Sequence, residues 1–303
     1  LHRYPDSHAY YLKEDLSRHL GLGPSQLILG NGSDEVLDLL VRALVPPGGE
    51  VISTTHTFLM YGLLTQAVGG VFRTVPLKNM AVDLAAVAQA VTDNTRLILL
   101  NSPNNPTGTV FTRKAWEDFL ATLPPTVTVV LDEAYIDFVD DPEVPDSLNY
   151  VSEERPLVGL RTFSKAYGLA GLRVGYAVSR PEVAGLLNRV RQPFNVNSIA
   201  QAAAVAALDD EAHLHKSVQG NLEGLLQLAA GFERLGLDYI ESVGNFIAVD
   251  TGQRAEAVYQ RLLQAGVIVR PIAAYGLPNH LRISVGLPQE NVRLLTALKK
   301  AVA

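Results

Sequence analysis

The sequence contains no cysteine in 303 residues. Disulfide bonds and thiol catalysis are therefore excluded, and the most common zinc ligand is missing. The formal net charge is −6, and a chain of this sign lacks the basic face that nucleic acid requires, so we expect no nucleic-acid partner. No apolar run approaches the roughly 20 residues of a membrane-spanning helix, and we expect no membrane partner.

Several catalytic motifs are also absent. The sequence has neither the G-x-x-x-x-G-K-[ST] loop of P-loop enzymes nor the G-x-S-x-G turn of serine hydrolases. The segment GNGSDE, at 30–35, lacks the third glycine of the dinucleotide fingerprint, which argues against a nicotinamide site. Of the seven histidines, His213 and His215 would lie on different faces of a helix, and we expect no metal site.

The pattern of apolar residues predicts two domains. Up to about residue 180, strands are predicted at 26–29, 50–53, 71–75, 96–100, 126–131, 157–160 and 174–178, with helices near 9–20, 59–68, 83–91 and 112–121. This alternation predicts an α/β fold: a large domain with a mainly parallel sheet flanked by helices, which binds ligands beyond the carboxyl ends of its strands.

After residue 180 the predicted strands become shorter. Helical patterns cover 181–191, 198–208, 209–235, 254–265 and 288–302, and strands are predicted at 238–241, 246–250, 267–269 and 280–284. We infer a smaller C-terminal α/β domain. The predicted parts are an N-terminal segment and helix at 1–25, a large cofactor-binding domain at 26–215 and a small domain at 216–303.

One lysine stands among small and apolar residues in RTFSKAYGLAGLRVG, the segment 161–175. Burial disfavours an ammonium ion and lowers a lysine pKa, which suits Lys165 to attack an aldehyde. Thr162, Ser164 and Arg173 can hold a dianionic phosphate. These features indicate a Schiff base between Lys165 and pyridoxal phosphate. The alternative is a glycine-rich surface loop with an ordinary salt-bridging lysine.

A carboxylate ends the apolar run VTVVLDEAY. Asp132 can pair with a pyridine nitrogen and keep it protonated, so that the ring accepts electron density from the substrate. Tyr135 can hydrogen-bond the phenolic oxygen of the same ring. The alternative is an acid that caps the next element, whereas a magnesium-binding strand is excluded because the P-loop is absent.

Two loops offer further cofactor contacts. Asn105 lies in the turn-forming stretch NSPNNPTG and can meet the ring oxygen, although turns of this kind are common. Phe58 follows a strand and can stack on the ring, although an aromatic residue there is more often part of the core. GNGSDE precedes a helix whose free N–H groups can bind an anion.

Two arginines lie at predicted strand ends in the C-terminal part, Arg270 in VIVRPI and Arg282 in HLRISVG. Together they can clamp an anionic substrate through forked hydrogen bonds. The alternative for each is an ordinary solvated surface arginine.

With these residues in place, the chain resembles the pyridoxal-phosphate aminotransferases of the aspartate aminotransferase superfamily, most specifically the histidinol-phosphate aminotransferases. TFSKAYGLAG is similar to the family's lysine motif, and Gly32, Ser33 and Asp34 match the loop that cradles the cofactor phosphate. Phe58 occupies the stacking position. His56 stands where the family more usually has proline.

The resemblance also implies partners. Tyr4, in RYPD, resembles the tyrosine that reaches the cofactor phosphate of a neighbouring subunit, so the expectation is a cytoplasmic homodimer with shared active sites. Arg282 matches the main substrate-anion arginine, and Arg270 matches a second one. The family normally carries a further N-terminal arm that closes over the substrate, whereas this sequence begins just before RYPD.

The expected reaction of histidine biosynthesis transfers an amino group between histidinol phosphate and 2-oxoglutarate through the Lys165 Schiff base. Two alternatives use the same scaffold: a threonine-phosphate decarboxylase and an aromatic-amino-acid aminotransferase. A third, of a different class, is a catalytically silent binding or regulatory protein with this fold.

Overall fold

A computed structural model describes residues 2–151 and 156–303. Leu1 and residues 152–155, which fall within the predicted N-terminal segment and large domain, lie outside the described residues. The strands are β1 (Leu27–Gly30), β2 (Glu50–Thr54), β3 (Val71–Val75), β4 (Thr95–Asn101), β5 (Thr128–Asp132), β6 (Leu157–Thr162), β7 (Gly175–Ser179), β8 (Tyr239–Ile240), β9 (Phe246–Asp250), β10 (Arg270–Pro271) and β11 (His280–Ser284).

The α-helices surround two sheets. They are α1 (Tyr10–Leu20), α2 (Ser33–Leu44), α3 (Met60–Ala67), α4 (Leu84–Gln89), α5 (Arg113–Thr122), α6 (Pro181–Val190), α7 (Ser198–Leu208), α8 (Glu211–Leu235), α9 (Ala255–Gln264) and α10 (Pro288–Val302). Within the part of the chain that the structure describes, no helix combines the length and apolarity that a membrane span requires.

The larger sheet has seven strands in the order β1-β7-β6-β5-β4-β2-β3. Neighbours from β3 to β6 are parallel, and β7 is antiparallel to both β6 and β1. The predicted mainly parallel sheet is confirmed. The parallel strands β2, β4, β5 and β6 therefore end at the same edge, where their following loops meet.

Helices cover both faces of this sheet, and β4 illustrates why its sequence is almost continuously apolar. Leu97 and Leu99 pack into a core with α2 and α6, while Ile98 and Leu100 pack on the opposite face against Trp116 of α5. All four leucine and isoleucine side chains are fully buried or nearly so. Because β4 is buried on both faces, its residues do not need to alternate between apolar and polar.

The smaller sheet is antiparallel, in the order β10-β11-β9-β8. Leu281 and Ile283 pack on one face into a core with α8, α9 and α10. Ala248 of β9 packs on the opposite face, with Ile272 and Leu277. Because side chains alternate along a strand, Arg282 lies on that second face, which borders the loops of the larger sheet.

The strand predicted at 267–269 is wrong. Gly266 has a φ of 71°, and the Val267 N–H donates to the Leu262 carbonyl, so these residues close helix α9 instead. Ile268 is 80% exposed. Pairing begins only at Arg270, where β11 lies opposite.

Helix α8 links the two sheets along the chain. Its later residues Leu228 and Phe232 are buried in the core of the smaller sheet. The predicted domain boundary between residues 215 and 216 falls inside this continuous helix. We therefore keep the three-part division as a proposal.

Candidate active site

A cavity of about 330 Å³ lies at the carboxyl edge of the larger sheet and faces the smaller one. It collects most of the residues predicted from the sequence: Ser33, Asp34, Phe58, Asn105, Asp132, Tyr135, Thr162, Ser164, Lys165, Arg173, Arg270 and Arg282. They come from seven separate segments of the chain. Gly32 precedes Ser33, and the Arg173 guanidinium lies where a side chain on Gly32 would project.

One end of the cavity is suited to an anion. Ser33 begins α2, whose first N–H groups have no partner within the helix. The Arg173 guanidinium lies 3.5 Å from the Ser164 hydroxyl and 3.6 Å from the Asp34 carboxylate. Thr162 Oγ1 accepts the Ser164 N–H at 3.1 Å and orients that residue. Hydroxyl, guanidinium and helix terminus together can hold a phosphate.

A buried carboxylate lies elsewhere in the cavity wall. Asp132 ends β5 and is only 5% exposed. Burial raises the pKa of its carboxyl from 3.8 to about 6, against the opposing effect of hydrogen bonds from the Tyr61 hydroxyl and the Ala134 N–H. These bonds measure 2.8 Å and 3.1 Å. A cation beside Asp132 would relieve the cost of its burial.

Lys165 lies close to Asp132 and Tyr135. Burial lowers the pKa of its ammonium, the positive charge of Arg282 lowers it further, and Asp132 opposes both effects. The Lys165 nitrogen is 5.3 Å from the centre of the Tyr135 ring. Burial raises the pKa of Tyr135, so its hydroxyl keeps a proton to donate. The lysine amine is thus prepared to act as a nucleophile and a base.

Lys165 also borders a wider groove of about 700 Å³ on another side. The groove runs along α8 and past residues 286–290, and Asn221 and Asn245 line it. Lys165 therefore lines both the cavity and this groove.

Asn105 and Phe58 form further parts of the wall. The Asn105 side-chain oxygen accepts a hydrogen bond of 2.5 Å from Arg282. Phe58 packs edge-on against Tyr61, with ring centres 5.7 Å apart. Asn105 thus joins the loop after β4 to the smaller sheet, and the helix that carries Tyr61 holds Phe58 in place.

The two arginines face each other across a strand pair. Arg270 of β10 is the direct antiparallel partner of Arg282 in β11, so both lie on the same side of the smaller sheet. Like charges in this register repel each other, which favours a bound anion between them. Arg282 is the third residue of β11, and its predicted position at a strand end is wrong. Its Cζ atom lies 5.1 Å from the centre of the Phe246 ring.

Tyr4 does not line the cavity of its own chain. Its side chain is 82% exposed and stacks on Phe194, with ring centres 4.9 Å apart. Its expected contact with a neighbouring subunit stays a prediction.

The sequence reasoning missed Tyr61, Asn101 and Tyr275. Tyr61 is fully buried and donates to Asp132, while Asn101 and Tyr275 line the cavity. A local signal for Tyr61 was its place in the first turn of α3, three positions after Phe58. The partner of that hydroxyl lies 71 residues further along the chain.

Sheet and cavity together define the class of protein: an α/β protein with a buried lysine amine beside a site suited to an anionic group. The comparison with known families agrees. The chain belongs to the aminotransferase class I and II family, whose model matches residues 1–298. The prediction of an aminotransferase is confirmed.

Two relatives and one solved structure illustrate the similarity. The chain is 52% identical over 303 residues to proteins named histidinol-phosphate aminotransferase 2 in Pseudomonas fluorescens and Pseudomonas aeruginosa, and the match covers 100% of this chain and 82% of each relative. The crystal structure of histidinol-phosphate aminotransferase from Sinorhizobium meliloti, in complex with pyridoxal-5'-phosphate, superposes with a TM-score of 0.93 at 32% identity. That match covers 99% of this chain and 83% of the other.

The residues present fit pyridoxal phosphate. The cavity offers hydroxyl, guanidinium and N–H groups for a phosphate, and Asp132 is a buried carboxylate suited to a protonated ring nitrogen. Lys165 opens onto the same space. The charge pattern of the cavity therefore matches the two charged ends of that cofactor.

Proposed function

We propose that this chain is a pyridoxal 5'-phosphate-dependent aminotransferase that transfers the amino group between histidinol phosphate and 2-oxoglutarate. The observation that carries the proposal is the Arg270–Arg282 pair, which opens onto the same cavity as Lys165. Identity of 52% to proteins named for histidinol phosphate supports this substrate.

The chain's residues have separate tasks in this proposal. When bound, the cofactor supplies an electron sink that makes the substrate α-carbon acidic. Lys165 would hold the cofactor, and its amine, when free, would take the proton from the substrate α-carbon and pass it to the cofactor carbon. Asp132 keeps negative charge against the ring nitrogen. Tyr135 and Asn105 donate hydrogen bonds to the ring oxygen.

The phosphate contacts divide between two sites. Ser33, Ser164 and Arg173 are proposed to hold the cofactor phosphate, with Gly32, Asp34 and Thr162 shaping that cradle and Phe58 stacking on the ring. Arg270 and Arg282 are left for the phosphate of the substrate. A carboxylate of 2-oxoglutarate can take the same place, because a guanidinium binds either anion through two parallel N–H groups.

We further propose a homodimer in which Tyr4 reaches the cofactor phosphate of the partner subunit. Exposed aromatic side chains near the N-terminus support an interface there: Tyr4, Tyr10, Tyr11 and Phe194. Water-soluble substrates and a role in histidine biosynthesis support a cytoplasmic location.

The substrate is tested with purified, cofactor-loaded protein. Histidinol phosphate, threonine phosphate and phenylalanine are supplied in turn with 2-oxoglutarate, and glutamate and carbon dioxide are measured. We expect glutamate formation with histidinol phosphate at least about tenfold above the other two, since only it combines an imidazole side chain with the phosphate. Carbon dioxide release would favour a decarboxylase. A protein that gains no visible absorbance with the cofactor would be a silent binding protein.

A further inference from the structure

His56 has an unusual backbone for its residue type. It lies in the loop between β2 and α3 with a φ of 48°, in the left-handed region that side chains with a Cβ rarely adopt. A residue keeps such a conformation only when its surroundings hold it there, and such residues concentrate at functional sites. The contacts of His56 identify what holds it.

Its imidazole contacts the smaller sheet's side of the cavity. His56 Nδ1 forms a hydrogen bond with the Tyr275 carbonyl oxygen, and Nδ1 must be the donor because a carbonyl only accepts. The ring also lies over Gly276, where an added Cβ would be 2.9 Å from His56 Cε1. Gly276, with a φ of 82°, leaves room for the imidazole.

Its backbone is tied to the loop after β4. The side-chain nitrogen of Asn104 donates to the His56 carbonyl at 3.1 Å and to Thr107 Oγ1 at 2.7 Å. Asn104 is fully buried, and the next residue, Asn105, receives the hydrogen bond from Arg282. His56 therefore bonds to two segments that line the cavity, and it lies two residues before a third, at Phe58.

His56 itself lies outside the lining of the cavity, whereas Tyr275 lines it together with Arg270 and Arg282. We propose that His56 is a positioning residue, which holds the Tyr275 turn against the loops of the larger sheet and thereby sets substrate affinity. This inference rests on the proposed function for the identity of the substrate. Among the described residues, no hydrogen bond joins this link to the phosphate cradle at Ser33 and Arg173, so we expect loss of the link to affect substrate affinity more than cofactor affinity.

The test compares His56→Ala with His56→Asn in cofactor-loaded protein. Asparagine keeps an N–H donor near the position of Nδ1 and tolerates a positive φ, whereas alanine has no donor. With H56A we expect the KM for histidinol phosphate to rise about three- to tenfold, as for the loss of one hydrogen bond, with kcat unchanged within about twofold. H56N should recover most of the affinity. His215→Ala, which removes an exposed histidine of α8, is the matched control.

Two further measurements separate positioning from folding. The dissociation constant of pyridoxal phosphate and the unfolding midpoint should change little in H56A. If H56A is insoluble, Gly276→Ala crowds the His56 ring and also strains the turn at its φ of 82°, and the same rise in KM is expected. An unchanged KM in H56A or G276A would overturn the proposal, and so would a failure of H56N to recover affinity. The proposal would also be overturned if H56A lost cofactor affinity and stability to the same extent as substrate affinity.

Binding of inorganic phosphate to the loaded protein, measured by calorimetry, distinguishes the two proposals. If the unmodified protein does not convert histidinol phosphate, the proposed function fails. A weaker phosphate affinity in H56A, by about three- to tenfold, would still support the role of His56. Equal phosphate affinity in H56A and the unmodified protein would contradict it.

Discussion

Replacing Asp132 by asparagine should stabilise the cofactor-free protein at alkaline pH. The Asp132 carboxyl is buried, and its pKa rises from 3.8 to about 6 on folding. A carboxyl with a raised pKa binds its proton more tightly in the folded chain, so the free energy of unfolding falls as pH rises between these values. Above that window the full cost of burying the charge remains. The pKa shift of Asp132 corresponds to a cost of about 3 kcal/mol in the free energy of unfolding.

Asparagine has nearly the same shape but carries no charge: its amide oxygen can accept from the Ala134 N–H, and its NH2 group, in place of the other oxygen, can donate to the Tyr61 hydroxyl. We therefore expect Asp132→Asn to raise the free energy of unfolding of the cofactor-free protein by up to about 3 kcal/mol at pH 8. At pH 5, Asp132 is already protonated in most folded molecules. The increase in the free energy of unfolding should therefore be about half as large.

Urea unfolding of both proteins at the two pH values measures this difference. Asp38→Asn is the control, because that carboxylate is partly exposed, pairs with Arg42 at 2.8 Å and should change stability by less than about 1 kcal/mol. Turnover by the loaded D132N enzyme should fall at least about 100-fold, since no charge then faces the ring nitrogen. A D132N protein less stable than the original at pH 8, or a gain that does not shrink at pH 5, would refute the reasoning.

Three further variants probe other contacts. Tyr61→Phe should raise the pKa of Asp132 by about one unit, because a hydrogen bond to the charged form is lost, and carboxyl NMR shifts across a pH titration measure it. Glu133→Gln should cost about 3 kcal/mol in urea unfolding, because the buried Glu133 carboxylate pairs with Arg161 at 2.9 Å; no loss would contradict this. Arg282→Lys should weaken phosphate binding to the loaded protein about tenfold in calorimetry, and equal affinity would exclude forked recognition.

Sequence patterns predicted the elements whose periodicity is strong. Helices at 198–208 and 288–302 and the strand at 246–250 have the predicted bounds. These segments carry regular apolar residues and clear end signals, so local sequence suffices. The apolar residues 267–269 mislead because a strand also requires a partner in register, and that partner begins at Arg270.

Many site residues could be predicted because they belong to short motifs at strand ends. Lys165 and Asp132 follow apolar runs whose carboxyl ends must meet in a parallel sheet. The contacts between them depend on tertiary structure: Tyr61 reaches Asp132 across 71 positions, and Arg282 reaches Asn105 across 177. No local pattern encodes such pairs, and for the same reason the link between His56 and Tyr275 was not predicted.

A crystal structure of the loaded protein with histidinol phosphate tests the central claim most directly. We predict cofactor density continuous with the Lys165 side chain before the substrate is added. After a brief soak, the substrate phosphate should lie within about 3 Å of the guanidinium nitrogens of Arg270 and Arg282. A substrate phosphate bound away from both arginines, for example in the groove along α8, would contradict the account.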